Sequence, residues 1–468
     1  MSSSYPTRFP VVPPRLLNDV DYNTFWDWVS GSAISPASYI IYSGSDGLYW
    51  ARNGHTGLIN YSGSDAATVI QNAINALPNG GRIFIKEGTY TINSRIVVAS
   101  GVEICGVWGR TKLISAGITD GTAIFQGTVA ITDLSIHDLY IEGKHYNPFP
   151  TLRVPTTDSW CILLTGGLAE NIHIYNIWAK NFATAVFING GGAVGNSRNW
   201  DLHNLLCEQM ESGICLIRSQ CTLVYNINIH DCILDQFEEG FEIAATNGGV
   251  TSLGGEIYGV NISNIHLFRG RTGGFGLNST ETVSTLGNKL HGINISNVTV
   301  QHSPIGLGST GLAVLVSGAG GNAIYDFNII NFHSKDADTG MKFVGLGPGQ
   351  SAGGRVSNFR LEGVGVRGID IQNCPLPTYN PLHLDNGSIT LLSGALHGIR
   401  LLQNLQNVTG IRFNKVGIAG SAGQTAIEHI TGGAFSVSDI DYRQVEFAPG
   451  TMTVNISGSD VTAHDWES

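Results

Sequence analysis

Charge is scarce in this chain. Only 13% of its 468 residues are Asp, Glu, Lys or Arg, and the balance is acidic, at −11. Nucleic-acid surfaces need clustered Lys and Arg against phosphate, so that class of partner is excluded. No apolar run approaches the roughly 18 residues of a spanning helix, so no membrane span is expected. The opening residues MSSSYPTRFPVVPP lack the basic and apolar regions of a secretory signal. The expectation is a trimmed leader or another route out of the cell, for example on a virion. The seven cysteines have no metal-ligand spacing, so no metal site is read from them. Cys207 and Cys232 fall at apolar strand positions, where buried free thiols are expected.

Glycine is abundant, with 61 copies, and apolar and polar residues alternate over short stretches. That alternation is the period of strands. It recurs in units. NIHIYNIWAKNFATAVFING starts at Asn171, NWDLHNLLCEQMESGICLIR at Asn199 and NINIHDCILDQFEEGFEIAA at Asn226. GVNISNIHLFRGRTGGFGLN starts at Gly259, GINISNVTV at Gly292 and DFNIINFHSKDADTGMKFVG at Asp326, with a weaker copy, NFRLEGVGV, at Asn358. The units are too short for propeller blades and fit three short strands per turn of a coil. Their sixth position holds Asn176, Asn204, Asp231, Asn264, Asn297 and Asn331. Asn and Asp tolerate the left-handed conformation of a tight corner, and amides stacked about 4.8 Å apart bond from rung to rung. The prediction is an all-β chain, a single right-handed parallel β-helix with an asparagine ladder.

The stretch SGSDAATVIQNAINALPNGGRIFIKEGTYTI, from Ser62 to Ile92, predicts a helix capped by Ser64 or Asp65. Ile70, Ala73, Ile74 and Leu77 line one face of it. Such a helix would plug the open end of the coil and cover its edges. The predicted organisation is an arm and aromatic cap over 1–60, the β-helix over 61–450 and a polar tail over 451–468. The proline-rich arm carries Tyr22, Phe25, Trp26 and Trp28, which would lie along the coil or latch onto a neighbour. Gly345 to Arg355 and the segment from Pro375 read as projecting loops.

This helix, followed by rungs with an asparagine ladder, resembles the pectin-lyase-like superfamily over roughly residues 45 to 450. The superfamily includes polysaccharide lyases, polygalacturonases and other glycosidases, epimerases and viral spikes. The aspartate and GHG motifs of polygalacturonases and the arginine-centred signature of pectate lyases are absent. The resemblance therefore implies a fold and a carbohydrate-directed surface, not one reaction. It places substrate along the second strand after the ladder residue, Phe241 to Ala245 in the Asn226 unit, and the turn from Gln236 to Gly240 that precedes it.

DQFEEGFEIAA puts three carboxylates, Glu238, Glu239 and Glu242, at that turn and strand. In Phe241-Glu242-Ile243 the apolar residues point inward and Glu242 outward. Aligning the units places Phe187, Cys215, Glu242 and Phe275 in one outward column and Ala183, Glu211, Glu238 and Arg271 in the turn column, with Arg218 and Arg269 nearby. The candidate catalytic residues are Glu238, Glu242, Glu211 and Glu239. The candidate substrate-binding residues are Phe187, Phe275, Arg271, Arg269 and Arg218. Paired carboxylates divide into acid and base when their environments separate their pKa values, as glycoside hydrolysis requires. Phenylalanine would stack on sugar rings and arginine would recognise acidic sugars.

Three functions stay open from these residues. The first is acid/base cleavage of an extracellular polysaccharide. The second is a non-catalytic viral spike or cell-surface fibre subunit, binding glycans or assembling into a homotrimer through the same face. The third is a lyase in which the carboxylates hold Ca²⁺. No other cofactor is called. The solvated-turn alternative pairs Glu211 and Glu238 with Arg271. His203 and His230 stack beside the ladder and read as structural rather than metal-binding.

Overall fold

The computed structural model describes residues 36–118, 122–145, 159–189, 196–218, 223–245, 254–279, 287–303, 311–318, 323–346, 353–376, 380–403, 407–431, 437–447, 452–456 and 461–464. The aromatic arm up to residue 35, and parts of both loops read as projecting, lie outside them.

From Gly81–Ile85 to Val461–His464, each strand pairs in parallel with the strand one coil turn away. The result is a right-handed parallel β-helix, the hand that parallel crossovers adopt. Alternation explains why the strands close on themselves. One inward column runs Ile136, Ile174, Leu202, Ile229, Ile262, Ile295, Ile329, Val356, Leu384, Phe413 and Tyr442 in register. All eleven are buried. Each such side chain contributes about 1.5–3 kcal/mol relative to exposure, so the column holds the coil however the outward positions vary.

The corners follow from side-chain chemistry. Asp138, Asn176, Asn204, Asp231, Asn264, Asn297, Asn331 and Asn358 all have φ between 51° and 59°. Asn176 Nδ2 donates to Asp138 Oδ1 at 2.8 Å, Asn204 to Asn176 at 3.1 Å, Asn264 to Asp231 at 2.9 Å, Asn297 to Asn264 at 3.1 Å and Asn331 to Asn297 at 2.9 Å. Asn358 continues this ladder on Asn331 at 3.2 Å; it sits at the ladder position, not at the start of a unit. A second ladder lies five residues earlier. Asn171 bonds Asp133, Asn199 bonds Asn171 and Asn226 bonds Asn199, at 2.7–2.9 Å.

The helix Ala66–Asn75 forms as expected. Asp65 caps it, accepting from the Thr68 backbone N–H at 3.1 Å. Its Ile70, Ala73 and Ile74 are buried in the same core as the first coil strands. The expected boundaries differ at both ends. Tyr39–Ser43, Tyr49–Asn53 and Ile59–Gly63 form an antiparallel meander, and Tyr39–Ser43 also pairs in parallel with Gly81–Ile85. Thr453–Asn455 and Val461–His464 carry the coil's pairing past residue 450. The six described cysteines are buried free thiols. Among the described residues no helix is long and apolar enough to cross a membrane.

Candidate active-site notch

The strand that follows a further left-handed corner, at Asn181, Gln209, Gln236 and Arg269 on successive rungs, stacks into one outer face. Its outward column runs Gln126, Leu163, Phe187, Leu216, Glu242, Gly276, Leu315, Lys342, Asp370, Arg400 and Glu428. A parallel column three residues earlier carries Glu239, Gly273, Leu312, Thr339, Arg367 and His397. Both columns therefore meet glycine on one rung. With no side chain at Gly273 or Gly276, the face opens into a cavity of about 200 Å³. Glu239 and Glu242 stand on one side of it, Leu312 and Leu315 on the other. Phe241 and Phe275 line it from beneath. A Cβ at Gly273 would lie 3.6 Å from Glu239 Cγ, and one at Gly276 would lie 3.9 Å from Glu242 Cγ. The gap thus abuts both carboxylate side chains.

The two glutamates have different surroundings. Asn278 Nδ2 donates to Glu242 Oε1. The Glu239 backbone N–H donates to the Glu211 carbonyl at 2.7 Å, which fixes the turn. The Glu239 side chain keeps contact with solvent at the mouth. Crowding atoms still strip water from its carboxyl, and that desolvation raises its pKa above the ordinary value. Glu242, then Glu211, then Glu238 raise it further by like-charge repulsion. Solvent access limits the size of this shift; its direction follows from geometry.

The other expected residues divide. Glu211 turns to His145, whose Nε2 lies 2.8 Å from Glu211 Oε2 and whose ring is fully buried. Glu238 pairs with Arg271 at 3.4 Å, as the solvated-turn alternative anticipates. Arg269 occupies a left-handed corner, with φ of 57°, and commits its guanidinium to Asp235. Arg218 ends the strand Cys215–Arg218, and its side chain lies outside the described residues. Phe187 is outward, but only 7% exposed, packed with Ala123, Leu163, Leu216 and Trp160. Its ring offers no open stacking platform; Trp160, at 5.4 Å between ring centroids, is the partly exposed aromatic.

Phe275 and Cys215 are corrections. Both point inward, and Phe275 is 3% exposed, stacked on Phe241 at 5.2 Å. The outward positions on those rungs are Gly276 and Leu216. The register between Phe237 and Glu239 is irregular, with Thr272 as an extra residue on the neighbouring turn. A one-residue slip carries a side chain to the opposite face. The glycines that open the notch were visible in TGGFG once that slip is corrected. His145 had no signal, being 66 residues from Glu211.

His203 and His230 stack at 4.9 Å, in a column that includes Tyr175 and His137. One group of three metal-competent atoms converges among the described residues: Glu103, Cys105 and His137. Arg82 Nε, 3.3 Å from both Cys105 Sγ and Glu103 Oε1, places positive charge against it and disfavours a cation.

No family model and no curated protein matches this chain. Solved structures of similar course include the A-module of a mannuronan C-5 epimerase from Azotobacter vinelandii, 14% identical, covering 83% of this chain and 96% of that one, with a TM-score of 0.43. A family 28 exopolygalacturonase of Yersinia enterocolitica is 11% identical over 85% and 83%, at 0.49. A surface protein and adhesin of Streptococcus pneumoniae is 12% identical over 85% and 96%, at 0.43. At these scores the class rests on the chain's own strand register: a parallel β-helix with a carboxylate-lined notch on one face.

Proposed function

We propose that the notch cleaves a polysaccharide outside the cell by glycoside hydrolysis. Glu239 gives a proton to the departing glycosidic oxygen, and Glu242 is the companion carboxylate. The observation that carries this reading is the raised pKa of solvent-reachable Glu239 beside Glu242, at a gap made by two glycines. A carboxyl whose pKa is raised keeps its proton for the leaving group to a higher pH than an ordinary glutamate does, and a second carboxylate at the same gap supplies the companion group that glycoside hydrolysis uses. Asn278 supports the reading by holding Glu242 in place. Leu312 and Leu315 supply an apolar wall for a sugar face.

The test is a panel of neutral and acidic polysaccharides, following new reducing ends and the ultraviolet absorbance of unsaturated uronates. The expected result is reducing ends without absorbance, falling by about 10²–10⁴-fold in Glu239→Gln and in Glu242→Gln. Gly276→Leu, which fills the gap from an exposed face, lowers the rate at least tenfold while the protein stays folded. Full activity in both glutamine variants removes the notch from the chemistry. Binding without cleavage would turn the reading to an adhesive surface protein. Rising absorbance would turn it to a lyase.

A further inference from the structure

Beyond the notch the same face turns from acidic to basic. The column of Gly276 passes through Leu315 to Lys342, two rungs on. The column of Gly273 passes through Leu312 and Thr339 to Arg367, three rungs on. Rungs lie about 4.8 Å apart, so the two cations stand about 10 Å and about 14 Å along the coil from the gap. Both side chains are partly exposed.

The neighbouring carboxylates leave these cations unbalanced. Asp370, beside Lys342 in register, is 2% exposed and already spent. Its Oδ1 accepts from Arg400 Nε at 2.9 Å, and its Oδ2 accepts from Arg400 Nη2 at 2.7 Å and Gln372 Nε2 at 2.8 Å. Glu428, two rungs beyond Arg367, faces the His397 ring at 3.0 Å. Neither Lys342 nor Arg367 has a hydrogen bond or ion pair among the described residues. Arg367 Nε is sealed from solvent, so no ligand reaches that atom; its two Nη atoms and Lys342 Nζ are not sealed. Burial, then the Arg400 charge, depresses the Arg367 pKa. An anion resting on the open nitrogens relieves that crowding. In a chain of net charge −11, this end of the face is positive while the notch is negative.

We propose that the substrate of the notch is an acidic polysaccharide, held by Lys342 and Arg367 through an oxyanion on a sugar beyond the gap. The outer fork of a guanidinium matches two oxygens of a carboxylate or sulfate, and the ammonium adds a point charge on the adjacent rung. A neutral sugar leaves both cations uncompensated. Glu239 and Glu242 repel an anionic group at the gap itself, so the acidic sugar lies at the basic end and fixes the register of the chain on the face. The separation exceeds the Debye length of about 8 Å in physiological salt, so these cations hold substrate without tuning Glu239. The proposal rests on the reading of the notch only for where the chain is cut; binding along the face does not need it.

The experiment is calorimetric titration of the full chain, carrying Glu239→Gln so that nothing is cut. Oligogalacturonate, oligomannuronate and unsulfated chondroitin supply carboxylates, and dextran sulfate supplies sulfate. Their carboxyl-reduced forms and plain dextran are the neutral probes. At least one acidic probe is expected to bind, and its neutral counterpart about tenfold more weakly or worse. Which acidic probes bind tells carboxylate from sulfate. Lys342→Met and Arg367→Met keep the apolar stems and drop the charge, and each should weaken binding about tenfold. Arg367→Lys, which restores charge without the fork, should recover part of the loss. Lys415→Asn removes one charge from a left-handed corner off this face and should change nothing. The proposal is overturned if no acidic probe binds, if neutral probes bind as tightly, or if Lys415→Asn weakens binding as much as the methionine variants do. In cleavage assays without Glu239→Gln, the two methionine variants should raise KM while kcat and the alkaline limb hold. Acidic probes bound through Lys342 and Arg367 but never cut would remove hydrolysis from the notch and leave this proposal standing. A neutral polysaccharide cut through Glu239 with both cations dispensable would do the reverse.

Discussion

The outward column through Glu242 has two halves of opposite character. On one side Leu163, Phe187 and Leu216 form a buried apolar cluster outside the coil. On the other, Lys342, Asp370, Arg400 and Glu428 occupy the same backbone positions with charge. Arg400 grips Asp370 in a bidentate pair, Nε to Oδ1 at 2.9 Å and Nη2 to Oδ2 at 2.7 Å, with side chains 11% and 2% exposed. Glu242 and Gly276 sit where one half gives way to the other. The inward columns hold the coil, so the outward ones accept either chemistry. A site arises where the two meet and the side chains run out.

The charged half should break hardest. Asp370→Ala leaves Arg400 shielded from water without its carboxylate and close to Arg367, whose pKa is already depressed by burial and by Arg400. The expected loss is about 3–5 kcal/mol in equilibrium urea unfolding. Replacing Asp370 and Arg400 together with apolar residues should recover most of it. A loss below about 1 kcal/mol in the single variant would mean the pair is solvated like a surface bridge. The apolar half should yield less. Phe187→Ala removes a ring from a cluster of four buried residues, not from the main core, so about 2–3 kcal/mol is expected, below the core range. A loss under about 0.5 kcal/mol would show that nothing depends on that cluster.

What could be read ahead follows from how local each signal is. The ladder was legible because Asn and Asp carry their corner conformation in their own side chains. Asp65 and the helix face were legible for the same reason. The outward direction of Glu242 followed from alternation within its own strand. Phe275 was misplaced because unequal turns shift the register between rungs, which no single unit reveals. Arg269 looked like a substrate ligand because its corner conformation and its Asp235 partner are set one rung away. Arg367 left no motif beside Lys342, since the two come from successive turns and share a face only when the rungs stack.

The smallest effect concerns Glu239, and its sign can be worked out. Burial and neighbouring carboxylates raise its folded-state pKa above the ordinary glutamate value of 4.5. Between 4.5 and the raised value the folded chain binds more protons than the unfolded chain, so stability falls as pH rises through that window. Above the window the ionised carboxylate costs stability; below 4.5 it costs nothing. Glu239→Gln removes that titration. The variant should be slightly more stable than the parent at pH 7, with the gain shrinking as pH falls and gone near pH 4. Comparing urea midpoints of the two proteins from pH 4 to pH 8 isolates the residue from every other titrating group. The same residue should set the alkaline limb of kcat/KM, because a general acid is lost on deprotonation. Parallel stability curves across the whole range would mean that solvent at the mouth of the notch cancels the crowding. In that case Glu239 resembles the exposed carboxylates of any turn, and the boundary between the two halves has no acid of its own.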